Sequence, residues 1–145
     1  MATGSYPSFR KLLRNSGCTR CALSEGRTTI VVDRGNPPPG IVVIGEGPGE
    51  EEDLKGKAFV GRSGRLLDRL LSRAGIDSNC DLLITNVVKC RPPKNRAPRP
   101  GEAGACLPFL VKQISLVRPH AILLLGATAV RHLLPGKRKF AMRDE

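Results

Sequence analysis

Apolar residues along this chain fall into three short blocks, with segments of helical period between them. Residues 41–44 and 121–125 are continuously apolar and residues 82–85 nearly so, the pattern of short strands buried on both faces. Residues 63–74 place Leu66, Leu67, Leu70 and Leu71 on one helical stripe, with Gly75 as a stop signal. Residues 101–117 read as a second helix, closed by Arg118-Pro119, and residues 127–134 as a short third one after Gly126. Near the start, a basic helix is expected over residues 9–15, after a loose segment over residues 1–8. Three consecutive prolines, Pro37 to Pro39, exclude regular structure from residues 34–40. The alternation of strand and helix predicts an α/β fold, a three-layer α/β/α sandwich around a mostly parallel central sheet.

Sheets of this kind bind ligands beyond the carboxyl ends of their strands. Glu46, Gly47, Pro48 and Gly49 follow the first predicted strand, Asn86 ends the second and Gly126 follows the third. They are expected to share one edge. The acids of residues 50–53 fit a solvated helix start favoured by the helix dipole. The glycine-rich turn is not a dinucleotide fingerprint, because Glu50 stands where the third glycine of G-x-G-x-x-G belongs.

Length and composition narrow the picture. A chain of 145 residues suits one core, so residues 1–145 are expected to form a single domain. With 40% hydrophobic residues, 16 Gly and 12 Pro, the fold should be rich in loops rather than a helical bundle. The longest apolar run, residues 121–125, is strand-sized and far from membrane-spanning length. Residues 1–14 lack the apolar segment of a secretory signal. A soluble, cytoplasmic monomer with no membrane partner is expected.

The net charge of +11 and pI near 10.1 bear on partners rather than on fold. Nucleic acid is the first candidate, which would make the protein nucleoid-associated in a bacterial or archaeal cell. An anionic membrane surface comes second, and a merely basic surface is the plain alternative. The basic residues of 55–65 and 89–99 sit beside Pro, Gly and Asn rather than along one amphipathic helix. This favours loops that grip phosphates, with Lys57, Arg62, Arg91, Lys94 and Arg96 as candidates.

Four of the five cysteines are spaced as Cys18-x2-Cys21, then 68 residues to Cys90 and 15 to Cys106. Two thiolates on a tight turn and two from distant loops can complete a tetrahedral set. Spacing alone does not choose zinc over an iron–sulfur cluster, nor either over buried thiols. Cys80 has no evident partner and reads as structural, as do His120 and His132.

The stretch Gly45-Glu46-Gly47-Pro48-Gly49-Glu50-Glu51-Glu52-Asp53, followed by Gly56-Lys57-Ala58-Phe59-Val60-Gly61 and by Thr85-Asn86-Val87-Val88-Lys89-Cys90-Arg91-Pro92-Pro93, closely resembles the family-4, iron–sulfur uracil-DNA glycosylases. The cysteine spacing and Gly126-Ala127-Thr128-Ala129 match as well, so the resemblance runs from about Phe9 to about Phe140. It implies a [4Fe–4S] cluster on Cys18, Cys21, Cys90 and Cys106, with zinc as the alternative occupant. It also implies an enzyme of base excision repair that flips uracil out of DNA and hydrolyses its N-glycosidic bond. Glu46 would then sit near the sugar and the water, Phe59 would stack on the uracil, and Asn86 would pair with its edge.

Each implied role has a chemical reason. A carboxylate can stabilise an oxocarbenium-like sugar or orient water, which suits Glu46. Gly47 and Gly49 allow close backbone approach, and Pro48 stiffens the turn. An Asn amide offers a donor and an acceptor side by side, complementary to O4 and N3–H of uracil but not to cytosine. A Phe offers a π-face to any base. Without the resemblance, Phe59 would read equally as a core residue and Asn86 as a turn former.

The chain departs from the family at its end. Members continue to a further strand and a His-Pro-Ser motif whose His bonds the uracil oxygen. No such motif precedes Glu145, and neither His120 nor His132 has the context to replace it. The expectation is a domain lacking its last strand, a shortened chain rather than a complete, efficient enzyme. A catalytically weak or inactive remnant that binds uracil or single-stranded DNA is the alternative function, and a zinc-stabilised scaffold unrelated to DNA a weaker third. A related variant traps uracil covalently through a His near the third cysteine, but residues 91–100 contain none.

Overall fold

The computed structural model describes residues 5–36 and 40–134. It contains helix α1 (Tyr6–Arg14), strands β1 (Arg34–Gly35) and β2 (Ile41–Gly45), helices α2 (Glu50–Lys55) and α3 (Arg62–Arg73), strand β3 (Leu82–Asn86), helix α4 (Pro100–Val117), strand β4 (Ala121–Leu124) and helix α5 (Ala127–Leu133). Short 3₁₀ turns at Ala22–Glu25 and Pro93–Asn95 complete it. The sheet order is β1-β3-β2-β4, with β2 parallel to both β3 and β4. The predicted strands and helices are therefore present, and the central sheet is mostly parallel.

Two predictions about regular structure fail. Residues 6–8, expected to belong to a loose start, form the first turn of α1, capped by Ser5 and anchored by the buried Tyr6, whose hydroxyl donates to Asp33 Oδ2 and accepts from Gln113 Nε2 at 3.0 Å. Arg34 and Gly35, assigned to a proline-rich loop, pair antiparallel with Ile84 and Leu83 as β1. The prolines follow these residues, so they do not remove the amides or carbonyls that the pairing uses. Pro37 to Pro39 lie outside the described residues, as does any strand after Leu134.

Alternation along the strands divides the interior between two faces. Val42, Ile44 and Leu83 pack with Leu13 of α1, Leu110 of α4 and Ala129 of α5. Val43, Leu82 and Ile84 pack on the other side with Ala58 and Leu67 of α3. Helices thus cover both faces, the three-layer arrangement that strands of continuous apolar residues require. β4 is the exception: it forms an edge of the described sheet, and Ile122 and Leu123 each remain 44% exposed. No helix among the described residues is long and apolar enough to cross a membrane.

Candidate functional site

The parallel strands β2 and β3 end side by side, with Gly45 opposite Asn86. Pairing continues one step beyond, where Val87 N–H donates to Gly45 O at 2.9 Å and Val88 N–H to Glu46 O at 3.2 Å. The loop after β2 and the loop after β3 therefore leave the sheet together. Between them and the turn at Phe59 lies a cleft of about 470 Å³. Glu46, Gly47, Pro48, Gly49, Phe59 and Asn86 all line it. Three stretches distant in sequence meet there.

Asn86 is 1% exposed, and its Oδ1 is the sole buried side-chain oxygen or nitrogen without a hydrogen-bond partner among the described residues. A buried unpaired acceptor costs about 1–3 kcal/mol. Such a cost is sustained in a native fold where a ligand answers it. Beside it, Phe59 holds its ring over Gly45. A Cβ on Gly45 would come within 2.7 Å of Phe59 Cε2 and 2.8 Å of Asn86 Oδ1. Only glycine lets the ring and the amide approach the same point.

Phe59 itself has φ of 54°, a left-handed conformation costing a bulky residue roughly 1–3 kcal/mol. Its neighbourhood over-determines it. Glu52 accepts from Gly49 N–H at 2.9 Å, Val60 N–H at 3.0 Å and Gly61 N–H at 2.5 Å, tying the loop after β2 to the Phe59 turn. The Arg34 side chain donates to Ala58 O at 2.8 Å and Phe59 O at 2.9 Å. At the first turn of α3, a Cβ on Gly64 would lie 2.8 Å from Phe59 Cα and nearer still to its carbonyl.

The acids of residues 50–53 are not simply a solvated helix start. Glu52 is the clamp just described. Asp53 is buried, accepting from Thr28 N–H at 2.8 Å and Thr29 N–H at 3.1 Å. Glu46 has a partner that sequence reasoning missed: Thr128 Oγ1, in the first turn of α5, donates to Glu46 Oε2 at 2.6 Å. The available signal was the position of Gly126-Ala127-Thr128 directly after the third strand.

The predicted backbone-gripping residues separate. Arg62 and Arg96 line the cleft. Arg96 is already committed, with Nη1 2.7 Å and Nη2 2.9 Å from the two carboxylate oxygens of Glu102. This fork holds Glu102 down to a pKa of about 2. Arg91 donates from Nε to Asn95 at 2.8 Å, and Lys94 is exposed on the same loop. Lys57 faces a different cleft, of about 550 Å³, together with Arg14, Arg27 and Lys55.

Cys18, Cys21, Cys90 and Cys106 line one small void of about 20 Å³. Burial pushes the Cys90 thiol up to about 11 and raises that of Cys106. Arg27 donates to Cys18 O and, at 3.5 Å, to Cys90 Sγ. Lys89, fully buried against the same void, donates to Thr85 Oγ1 at 2.8 Å and to Asn86 O. Among the described residues no three His, Cys, Asp or Glu side chains are gathered closely enough for a single metal ion. Cys80 stands apart and exposed.

A helix-covered parallel sheet with a polar-ended cleft at its carboxyl edge defines the class of this protein, and the comparisons specify it. Residues 32–143 match the Uracil DNA glycosylase superfamily, and the chain belongs to that family. It is similar to the Type-4 uracil-DNA glycosylase of Thermotoga maritima, 52% identical over 83% of this chain and 62% of that protein. Its similarity to the Type-4 uracil-DNA glycosylase of Pyrobaculum aerophilum is 42% over 94% of this chain and 69% of the relative. For that of Saccharolobus solfataricus it is 47% over 88% and 58%. The chain thus spans about three-fifths to two-thirds of the length of these three curated relatives.

Proposed function

We propose that this chain is a single-domain, monomeric, cytoplasmic base-excision-repair glycosylase that takes uracil from DNA into the Asn86 cleft and cleaves its N-glycosidic bond. The observation that carries the reading is the unpaired, buried Asn86 Oδ1 beside the Phe59 ring. N3–H of a uracil stacked on that ring would donate to Oδ1, and the amide nitrogen would donate to O4. Cytosine offers a bare N3 and an amine there, leaving both amide groups mismatched.

In the reaction the C1′–N1 bond breaks and its electron pair leaves on the base, while a water oxygen bonds to C1′ and passes its proton, through the Glu46 carboxylate, to the departing uracil anion. Glu46 lines the same cleft. With Oε2 held by Thr128, its other oxygen has no hydrogen-bond partner among the described residues and is available to the cationic sugar or to the water. A fixed carboxylate stabilises the developing charge without reorganising during the reaction. Arg62 in the cleft, and Lys57, Arg91 and Lys94 on the surface, would attract the phosphate backbone. Arg96 contributes less than its charge suggests, because Glu102 already neutralises it.

Cys18, Cys21, Cys90 and Cys106 would hold a [4Fe–4S] cluster. Four thiols around one void suit a metal centre. The [4Fe–4S] assignment over zinc rests on the cysteine spacing shared with the iron–sulfur glycosylases. Arg27 and Lys89 supply positive charge toward a centre of net negative charge. When bound, the cluster would supply iron–thiolate cross-links rather than a reacting group in the cleft.

The test is release of free uracil from uracil-containing single- and double-stranded DNA, with Asn86→Ala and Glu46→Ala as controls. Activity surviving both substitutions would remove the site from consideration. Salt-sensitive binding without release would select the non-catalytic reading.

A further inference from the structure

We propose that Arg34 is a positioning residue that aims the Phe59 ring, and thereby sets how strongly a flat base is held in the cleft. The inference rests on Phe59 being the stacking surface.

Arg34 is buried on the antiparallel edge strand β1, outside the cleft. An edge strand with a buried arginine is unusual, since a guanidinium is retained in an interior only when its donors are matched. Here they all are. Nε donates to Ala58 O at 2.8 Å, Nη1 to Ser78 Oγ at 3.0 Å and Asn79 Oδ1 at 3.1 Å, and Nη2 to Phe59 O at 2.9 Å and Asp68 Oδ1 at 2.8 Å. The planar fork spans three elements and ends on two consecutive carbonyls of the turn that carries the ring. Those carbonyls belong to the residue with φ of 54° and the one before it, so the guanidinium fixes the peptide planes on either side of the strained Cα. The direction of the Phe59 side chain follows from those two planes. Glu52 holds the next two amides, at Val60 and Gly61. Arg34 and Glu52 therefore grip consecutive peptides from opposite sides, one by donating and one by accepting. A lysine can match the charge but not the fork.

The experiment compares binding of the full chain to single-stranded oligonucleotides carrying either one uracil or an abasic analogue at the same place. The affinity ratio reads base capture alone, separately from backbone contacts and from turnover. In the unmodified protein the uracil strand should bind more tightly. Equal binding of both strands would sink the stacking reading itself, whatever Arg34 does. Given discrimination, Arg34→Lys should lower the ratio about tenfold, the scale of a lost base–aromatic stack. Phe59→Leu should do the same, and the double variant should be no worse than Phe59→Leu. Free guanidinium should restore part of the ratio to Arg34→Ala. A folded Arg34→Lys protein that keeps the full ratio, or losses that simply add in the double variant, would overturn the proposal. If Arg34→Lys does not fold, Asp68→Ala decides: it removes the partly exposed one of the two Nη2 acceptors, leaving the guanidinium anchored less firmly against Phe59 O, and should lower the ratio several-fold. An unchanged ratio in that variant would equally overturn the proposal.

Discussion

At the cleft, the loops that shape the site are held by side chains of the chain itself. Glu52 gathers three amides, Arg34 two carbonyls and Thr128 one carboxylate oxygen. At the cysteine corner, beyond the same end of β3, the chain supplies much less. Arg27 reaches Cys18 and Cys90, but the four thiols face a void, and burial holds two of them away from the thiolate form. One region is preorganised by the polypeptide, with a single buried acceptor, Asn86 Oδ1, left unpaired among the described residues. The other would be completed by the proposed metal centre joining its parts. Stability should therefore depend on the corner, and base recognition on the cleft.

The largest effect is expected where that division is tested directly. If the proposed cluster is held there, Cys90→Ala or Cys106→Ala, or removal of iron by oxidation and chelation, would delete a cross-link between the N-terminal turn, the loop after β3 and α4. Metal coordination is a source of folding free energy. A loss of several kcal/mol would lower the melting temperature of a chain this size by roughly 10 °C or more. Calorimetry with and without metal checks this, alongside visible absorption. An unchanged melting temperature would show that the corner is held by protein contacts alone.

Asn86→Ala should separate the two regions in the opposite sense. Uracil release should fall by about 10²–10³, the cost of losing preorganised polar contacts to a reacting group. The melting temperature should hold or rise, because truncation removes an unpaired buried acceptor. Parallel excision and thermal-melt assays check the pair, and a matching fall in both would mean that Asn86 is structural.

This contrast also explains what could be read from the sequence. Strands β2, β3 and β4 were legible because their signal is local, an apolar run bounded by turn residues. β1 was not, since two residues before three prolines carry no period and exist as a strand only by pairing with β3. The residues at the strand ends were legible because topology places them. Their supports were harder: Arg34 acts on carbonyls about 24 residues away in sequence, and no spacing announces that. Glu52 lay closer to view, three residues after Gly49 at the start of α2, where a glutamate commonly caps. The four cysteines were legible as a set, but the Arg27 and Lys89 side chains that meet them at one void were not.

A smaller loss is expected from Gly64→Ala. The new methyl group would collide with the Phe59 backbone, which is fixed by Arg34 and Glu52 and cannot simply yield. Overpacking of this kind costs about 1–3 kcal/mol, and uracil release should fall roughly tenfold or more. If the turn relaxes instead, stability falls while excision survives, and the cleft is less rigid than its clamps imply. Thr128→Val keeps the shape and removes the hydroxyl bond to Glu46. A single such bond is worth about 1 kcal/mol, so release should fall roughly fivefold to tenfold, with no change in DNA affinity by titration.

The smallest effect belongs to the loop between the two regions, where Glu102 binds the Arg96 fork and also accepts from Arg99 N–H at 2.8 Å at the start of α4. Its carboxyl is held to a pKa of about 2, first by the Arg96 hydrogen bonds, against about 4.3 for a free glutamate. The unfolded chain therefore takes up a proton between those values while the folded chain does not, so acid favours unfolding. The contribution to stability is whole above about pH 4.3 and drains away as pH falls towards 2. Glu102→Gln should remove that part of the acid slope while keeping an acceptor for the Arg99 amide. Glu102→Ala should remove both and cost about 1 kcal/mol more, the worth of a helix cap. Denaturant titrations at pH 3 and pH 6 compare the three proteins. An equal acid slope in the wild type and Glu102→Gln would free Arg96 from its partner and return it to the residues available for DNA.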